Sequence, residues 1–551
     1  MILNSLRILI LITGLVPFIN TNQQFLEYTL THQQQQQQQQ QQYISEHPHN
    51  VVVCIDIEKI RDLHSAAQRN WKHLKILNEK KNTFQISDII NCCNDLESLD
   101  LSQARSLELS NDDDGFKALT NLVYLNISGT GVEELKGSYF SIYNRLGNLD
   151  ASWNSLTEIT FELKNKLLYL QYGNFSHNSI TNIEADLWKS FQKLKCLHLD
   201  NNELKTVSFH NYPQLQLLTL SDNQIEELTI KSFSGLERMD ELKITSNPLH
   251  YIGNHTFSSM TQLKTLNLSA NSLELLDVDV FEGLNRLLSL DLNSNDLKEL
   301  TDKQFEHLIK LQYLDLSRNR LTTLNSTAFS NLSSLRKLYL QENDLKMLKS
   351  NTFAGLTTLD TLDLSQNALE YFDADVFGPS TLPRLKKLIL KSNNIKRLHP
   401  LAFASLPFIQ YLSLGNNEIT TLDVRMFAPM RRLDKLHMGN NLLEVIPPEV
   451  LDSLTDVSEL LIDNNRLSFL PDTNATFPRL RKVSVEGNPW QCPCWDELVN
   501  FLEIRQISYV REQSPYYSGQ RPLCVVTTVQ ACIKDINLVK KYQIEDIYNS
   551  A

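Results

Sequence analysis

The sequence lacks most of what an enzyme announces. It has no glycine-rich loop of the kind that cradles phosphates, no serine-hydrolase elbow and no paired carboxylates placed for acid–base work. Phosphoryl transfer and hydrolysis therefore have no visible frame, and neither a cofactor nor catalysis is expected. A basic excess is missing too. With 52 Lys and Arg against 64 Asp and Glu, the net charge is −12, which argues against a nucleic-acid or anionic-membrane partner while leaving room for a local basic patch. After the apolar core Ile8 to Val16, no stretch is apolar enough to span a bilayer, and the closing IEDIYNSA is not a glycolipid-anchor tail. Cysteine is limited to eight residues.

What is present is periodic. From Leu122 to Leu480 a frame Leu-x-x-Leu-x-Leu-x-x-Asn-x-Leu-x-x-Leu returns about every 24 residues, cleanly in LKTLNLSANSLELL, LLSLDLNSNDLKEL and LQYLDLSRNRLTTL. A fixed period of this size specifies a solenoid. The Leu-x-Leu alternation predicts a short strand with both leucines inward, and successive strands stack into one parallel sheet. The ninth position is Asn in fifteen copies, from Asn154 to Asn488. A buried amide there offers two donors and an acceptor to backbone groups where the chain leaves the strand. Phe233, Phe257, Phe281, Phe305, Phe329, Phe353, Phe377, Phe403 and Phe427 recur on the return segment, with Phe140 and Trp188 in phase. These should fill the wider, convex side, leaving the sheet concave. One repeat cannot fold alone. About seven buried apolar side chains at ~1.5–3 kcal/mol each fall short of the ~1–2 kcal/mol per residue needed to order two dozen residues, so stacking and end caps are obligatory. Two irregular frames come first, with Ala104 and Thr130 at the ladder position.

The reading divides the chain into a secretory signal (1–22), a linker carrying Gln33 to Gln42 (23–50), an N-terminal cap (51–95), repeats with about seventeen strands (96–487), a cysteine-rich C-terminal cap (488–535) and a short tail (536–551). On these motifs the chain resembles extracellular leucine-rich-repeat proteins of the 24-residue class, over Leu96 to Cys532. The resemblance implies an α/β solenoid, a horseshoe with a parallel concave sheet and terminal caps. The segment Asn488 to Leu502, with Cys524 and Cys532, is similar to that group's C-terminal flank, which implies bridges Cys492–Cys524 and Cys494–Cys532, and Asp496 to Arg505 reads as an amphipathic helix closing the core. The N-terminal side departs from the group's four-cysteine pattern. Cys54 lies on the strand VVVCIDI, and one of the adjacent Cys92 and Cys93 can close onto it; on an extended strand the two point to opposite faces, so the other cannot. With Cys92 in that bridge, Cys93 and Cys196 are left over. Cys196 faces outward at the third frame position, and an odd cysteine in a secreted protein is a candidate for intermolecular pairing.

Positions three, five and seven of each frame face outward. Sequons occur at Asn126, Asn174, Asn254, Asn267, Asn325, Asn331 and Asn474, and the first, second and fourth of these sit at position five on strands. Glycans there would cover the N-terminal half of the sheet, making the later strands the open surface. That surface carries Asp291, Tyr313, Asp315, Tyr339 and Asp363, then Lys387, Lys391, Tyr411, Lys435 and His437. Tyrosines among mixed charges suit a protein partner. The competing constellation is Cys196, His198 and Asp200 with His177, a thiol–imidazole or soft-metal grouping, but it would lie on an open sheet with no pocket to exclude water.

The expectation is a secreted, glycosylated, non-catalytic recognition protein that binds an extracellular protein or pathogen-surface ligand, with a disulfide-linked dimer or hetero-oligomer as one form. Resemblance to ectodomains of the Toll, Slit and acid-labile-subunit kind makes an insect innate-immune role the nearest setting. A matrix or adhesion component, and a carrier or antagonist of a hormone or growth factor, are the alternatives.

Overall fold

The computed structural model describes residues 51–55, 71–77, 84–86, 89, 93–102, 104, 107–108, 116–163, 165–183, 191–210, 212–379, 381–472, 477–510, 514–526, 530–541 and 548–549. The expected signal and linker (1–50), Cys92, the side chain of Cys54, Trp188 and Asn474 lie outside them. The chain forms two compact units: 1–131 with 138–146, and 132–137 with 147–551.

In the first unit, Val51–Ile55, His73–Leu77, Ser98–Asp100 and Tyr124–Asn126 pair in that order, all parallel, with Leu74, Leu99 and Leu125 in register. The segment read as a cap thus already contributes two strands. The Cys93 amide donates to the Ile89 carbonyl at 2.9 Å. At the irregular ladder positions, Ala104 is fully buried and offers no amide, whereas the Thr130 hydroxyl donates to the Ile127 carbonyl at 2.7 Å and supplies one bond that asparagine makes elsewhere. Phe116 and Phe140 stack at 6.0 Å.

The second unit is a run of fifteen three-residue strands, from Asn148–Asp150 to Lys482–Ser484, each parallel to the next. With Ser98–Asp100 and Tyr124–Asn126, every frame read from sequence carries a strand. The central residue of each strand is buried leucine, with two departures: Val483 and Gly173. At Gly173 an added Cβ would stand 3.0 Å from the Phe175 ring, which fills the missing volume and is itself fully buried.

The asparagine ladder ties each turn to the one before it. The Asn319 amide donates to Leu316 at 3.1 Å and to Leu292 of the preceding turn at 3.0 Å, while its oxygen accepts the Leu297 N–H at 3.0 Å. Buried polar groups cost stability unless bonded, and here each amide satisfies three backbone groups at once. On the return side the phenylalanine rings follow one another at 5.9–6.3 Å, stacked from Phe209 to Phe257 and from Phe281 to Phe353 and tilted at Phe377. Phe209 belongs to this ladder although the sequence reading began it at Phe233. The long step between Asn367 and Asn393 is filled by Phe372, 5.8 Å from both Phe377 and Phe403.

The last strand is covered. The Val483 N–H donates to Ser508 at 2.8 Å, occupying an edge that would otherwise invite another strand. Cys492–Cys524 and Cys494–Cys532 are bonded, with Cα separations of 4.9 and 4.7 Å. The cap helix runs Cys492–Ile504, earlier than the sequence reading placed it. Pro493 falls in the first turn, where its missing N–H has no intrahelical partner to lose. Phe469, Cys494 and Val525 form the cap core, and Ile536 from the expected tail packs on it. Among the described residues, no helix is long and apolar enough to cross a membrane.

Candidate ligand-binding face

Column five of the sheet turns out to be a structural column before it is anything else. Asp291, Asp315 and Asp363 each accept the backbone N–H two residues on, at 3.0, 2.9 and 2.9 Å. Asp100, Asn126, Asp150, Asn174 and Asn267 do the same at 2.9–3.1 Å. Asp and Asn favour such short-range bonds; here they fix the exit from each strand. These carboxylates are recessed, with only 7–8 % of Asp291, Asp315 and Asp363 exposed. Asp291 and Asp315 are partners across adjacent strands. Burial, reinforced by the Asp315 charge, pushes Asp291 up to about 7; burial also raises Asp315 and Asp363. The Tyr313 hydroxyl donates to Asp315 at 3.0 Å and its ring lies 5.5 Å from Tyr339. Burial raises both phenols, Tyr339 to about 12. The acidic stretch is therefore a recessed floor whose carboxyls are held above their usual range by burial.

The strands that follow differ in kind. The Lys387 ammonium stands 5.3 Å over the Tyr411 ring. The Tyr411 hydroxyl and His437 Nδ1 are 3.1 Å apart, and His437 Nε2 is 3.6 Å from Glu459. Glu459 also takes Lys435 at 3.2 Å and Lys482 at 2.8 Å. Burial lifts the Glu459 carboxyl, but the hydrogen bonds from Lys482 and Lys435 outweigh it and hold the group below the usual range. Burial lowers His437 against the pull of Glu459, leaving the imidazole neutral at neutral pH. Lys387 and Lys391 are exposed. The structure thus brings Lys387, Tyr411, Lys435 and His437 into one chain of contacts. Glu459 and Lys482, which join it, went unremarked in the sequence, although both occupy column three of their frames.

The Cys196 constellation does not assemble into a reactive site. Burial pushes the half-buried Cys196 thiol up to about 11, whereas a nucleophile or redox-active thiol needs the opposite. Burial also lowers His198. Its Nδ1 lies 3.1 Å from the Thr219 hydroxyl, which in turn bonds Asp200, and the second Asp200 oxygen accepts Ser221 N–H at 2.8 Å. His177 is elsewhere, stacked on Trp153 at 3.7 Å. Among the described residues, no group of three His, Cys, Asp or Glu could hold a metal ion. Cys93 is buried. Of the sequons, Asn254 and Asn331 are exposed, Asn126, Asn174 and Asn325 half-buried, and Asn267 only 8 % exposed.

Residues 170–225, 237–297, 286–345, 334–381 and 383–443 match the family model described as leucine rich repeat. No curated protein matches the chain in sequence. Among solved structures, a leucine-rich-repeat protein of Leptospira interrogans is 26 % identical with a TM-score of 0.56, over 78 % of this chain and 99 % of that one. A chain of the glycosylated Drosophila Toll–Spatzle complex is 19 % identical with a TM-score of 0.58, over 87 % and 68 %. The plant peptide hormone receptor RGFR1 in complex with RGF2 is 19 % identical with a TM-score of 0.52, over 76 % and 75 %. At such identities Toll and RGFR1 speak to fold alone. The fold is a leucine-rich-repeat solenoid, and no enzymatic family is indicated.

Proposed function

We propose that this chain is a secreted recognition protein that binds a protein ligand on the outward face of its sheet, over the strands from Ser289–Asp291 to Lys482–Ser484, with innate recognition as its setting. The observation that carries the reading is the contact chain Lys387–Tyr411–His437–Glu459. Unlike column five elsewhere, none of these four side chains is spent on the exit from its own strand. Aromatic and cationic side chains of this sort are what interfaces enrich. The Toll and RGFR1 neighbours are in complex with Spatzle and RGF2, and two disulfides suit an oxidising, extracellular location.

A single isosteric change tests it. Asp363→Asn keeps the oxygen that accepts Ser365 N–H, and converts Asp363–Leu364–Ser365 into a sequon of the same form as Asn267–Leu268–Ser269. The secreted wild type should retain a partner from native extracellular fluid; the variant, once its glycan is confirmed by mass, should not. Asp363→Asn with Ser365→Ala, which has no sequon, should regain it. Undiminished capture by the glycan-bearing variant would end the proposal.

A further inference from the structure

The face proposed above also has a sign. We propose that the segment of the ligand seated on strands Lys387–Ile389 to Lys482–Ser484 is an acidic stretch of protein, an inference that rests on the sheet-face reading. The exposed charges on this part of the sheet are four ammonium groups: Lys387, Lys391, Lys435 and Lys482. The last two share one carboxylate, Glu459, which is largely covered, 14 % of its side chain being exposed. Lys387 and Lys391 make no ion pair among the described residues; Lys387 lies over the Tyr411 ring and Lys391 is the sole charged side chain exposed in column seven of these strands. The other acids on the face, in column seven, are covered and engaged. Glu486, 3 % exposed, accepts the Ser484 hydroxyl at 2.9 Å and Val485 N–H at 3.1 Å, and Asp463, 4 % exposed, accepts the Asn464 amide at 3.1 Å. In a chain of net charge −12, four exposed cations over three covered carboxylates, Glu459, Asp463 and Glu486, leave a local excess of positive charge.

The rings of Tyr411 and His437 among these lysines favour a polypeptide over a purely polyanionic chain. Between Lys391 and Asp463, column seven carries Gly415 and Gly439, and column five beside them carries Ser413. Neither glycine has a left-handed backbone. A Cβ on Gly439 would come within 2.7 Å of an Asp463 carboxylate oxygen, and one on Gly415 within 3.2 Å of the Gly439 carbonyl. Gly415, Gly439 and Ser413 are buried and the Asp463 carboxylate lies over Gly439, so the rings of Tyr411 and His437 stand as the main relief between the lysines. An extended segment seated against these rings can reach the surrounding lysines with its carboxylates. Such pairing steers encounter and sets orientation.

The test uses the full secreted chain and a short fluorescent peptide alternating glutamate and serine, compared with its glutamine counterpart and with a sulfated oligosaccharide. Lys387→Glu with Lys391→Glu should weaken binding of the glutamate peptide roughly tenfold or more. Lys231→Glu with Lys310→Glu, the same charge change at two exposed lysines off this face, should leave it within about twofold. The inference is overturned if the wild type binds the glutamine peptide equally well, if the control pair weakens binding as much, or if the sulfated oligosaccharide binds while the glutamate peptide does not. Partner capture separates this failure from that of the wider reading. Loss with the Asp363→Asn glycan but retention with Lys387→Glu and Lys391→Glu leaves the sheet face standing and removes the acidic segment; retention in both removes both.

Discussion

At the scale of single residues, the sheet face is held by groups that look functional and are structural. Asp291 shows this best. Its carboxyl moves from 3.8 to about 7 because burial and Asp315 both disfavour the charge. The native state therefore binds this proton more tightly than the unfolded chain, and stability falls as pH rises across that interval. Asp291→Asn keeps the oxygen that accepts Asn293 N–H and is the residue the chain itself uses at Asn126, Asn174 and Asn267; it creates no sequon, since Asn293 follows in place of serine. The variant should unfold at higher denaturant than wild type near pH 8, by about 1–4 kcal/mol, and the two should converge near pH 4. An equal effect at both pH values would mean that the carboxyl is not titrating there.

At the scale of the repeat, one regularity was hidden from the sequence. From Trp153 to Asn464 the residue before each ladder asparagine has a positive φ, between 51° and 58°, in every turn. That position carries Trp, His, Asn, Asp, Ser, Ala, Arg, Glu and Gln, so no residue type marks it, and an alternation that identifies leucines says nothing about it. The left-handed geometry costs about 1–2 kcal/mol for a residue with a Cβ, and Trp153, 65 % exposed, meets that cost with a bulky ring. Ala270 has φ 54° and no side chain to compensate. Ala270→Gly should raise the unfolding free energy by about 0.5–1 kcal/mol once the greater freedom of glycine in the unfolded chain is discounted; a loss of stability would show that the turn is not strained. The leucine, asparagine and phenylalanine columns were legible because buried groups repeat with the chain's own period. The role of Phe372 and the early start of the cap helix were not, because each depends on a single local contact. For the candidate face, column membership was legible and occupancy was not: the aspartates of column five and Lys387 of column three all read as outward, and only hydrogen bonds to the backbone separate the recessed from the available.

At the scale of the molecule, a solenoid couples each turn chiefly to its neighbours, so the end of the second unit is only as firm as what covers it. The bridge Cys494–Cys532 closes 38 residues of chain around a core of Phe469 and Val525. Lys534 ties the same segment to Asp472 and Glu497 at 2.8 and 3.0 Å, and Lys540 ties the following helix to Glu444 at 2.7 Å. Removing a bridge of this kind costs about 2–5 kcal/mol. In a globule that loss would be shared by all parts; in a stack it should stay near the end. Cys494→Ser with Cys532→Ser should therefore speed amide exchange in Glu459–Leu461 and Lys482–Ser484, while exchange in Ser289–Asp291 and Tyr313–Asp315 stays at the wild-type rate. Because Glu459 and Lys482 belong to those last strands, the same variant should weaken binding of the glutamate peptide with every contacting lysine still in place. Uniform acceleration across the unit would instead mean that the whole run of strands unfolds as one body.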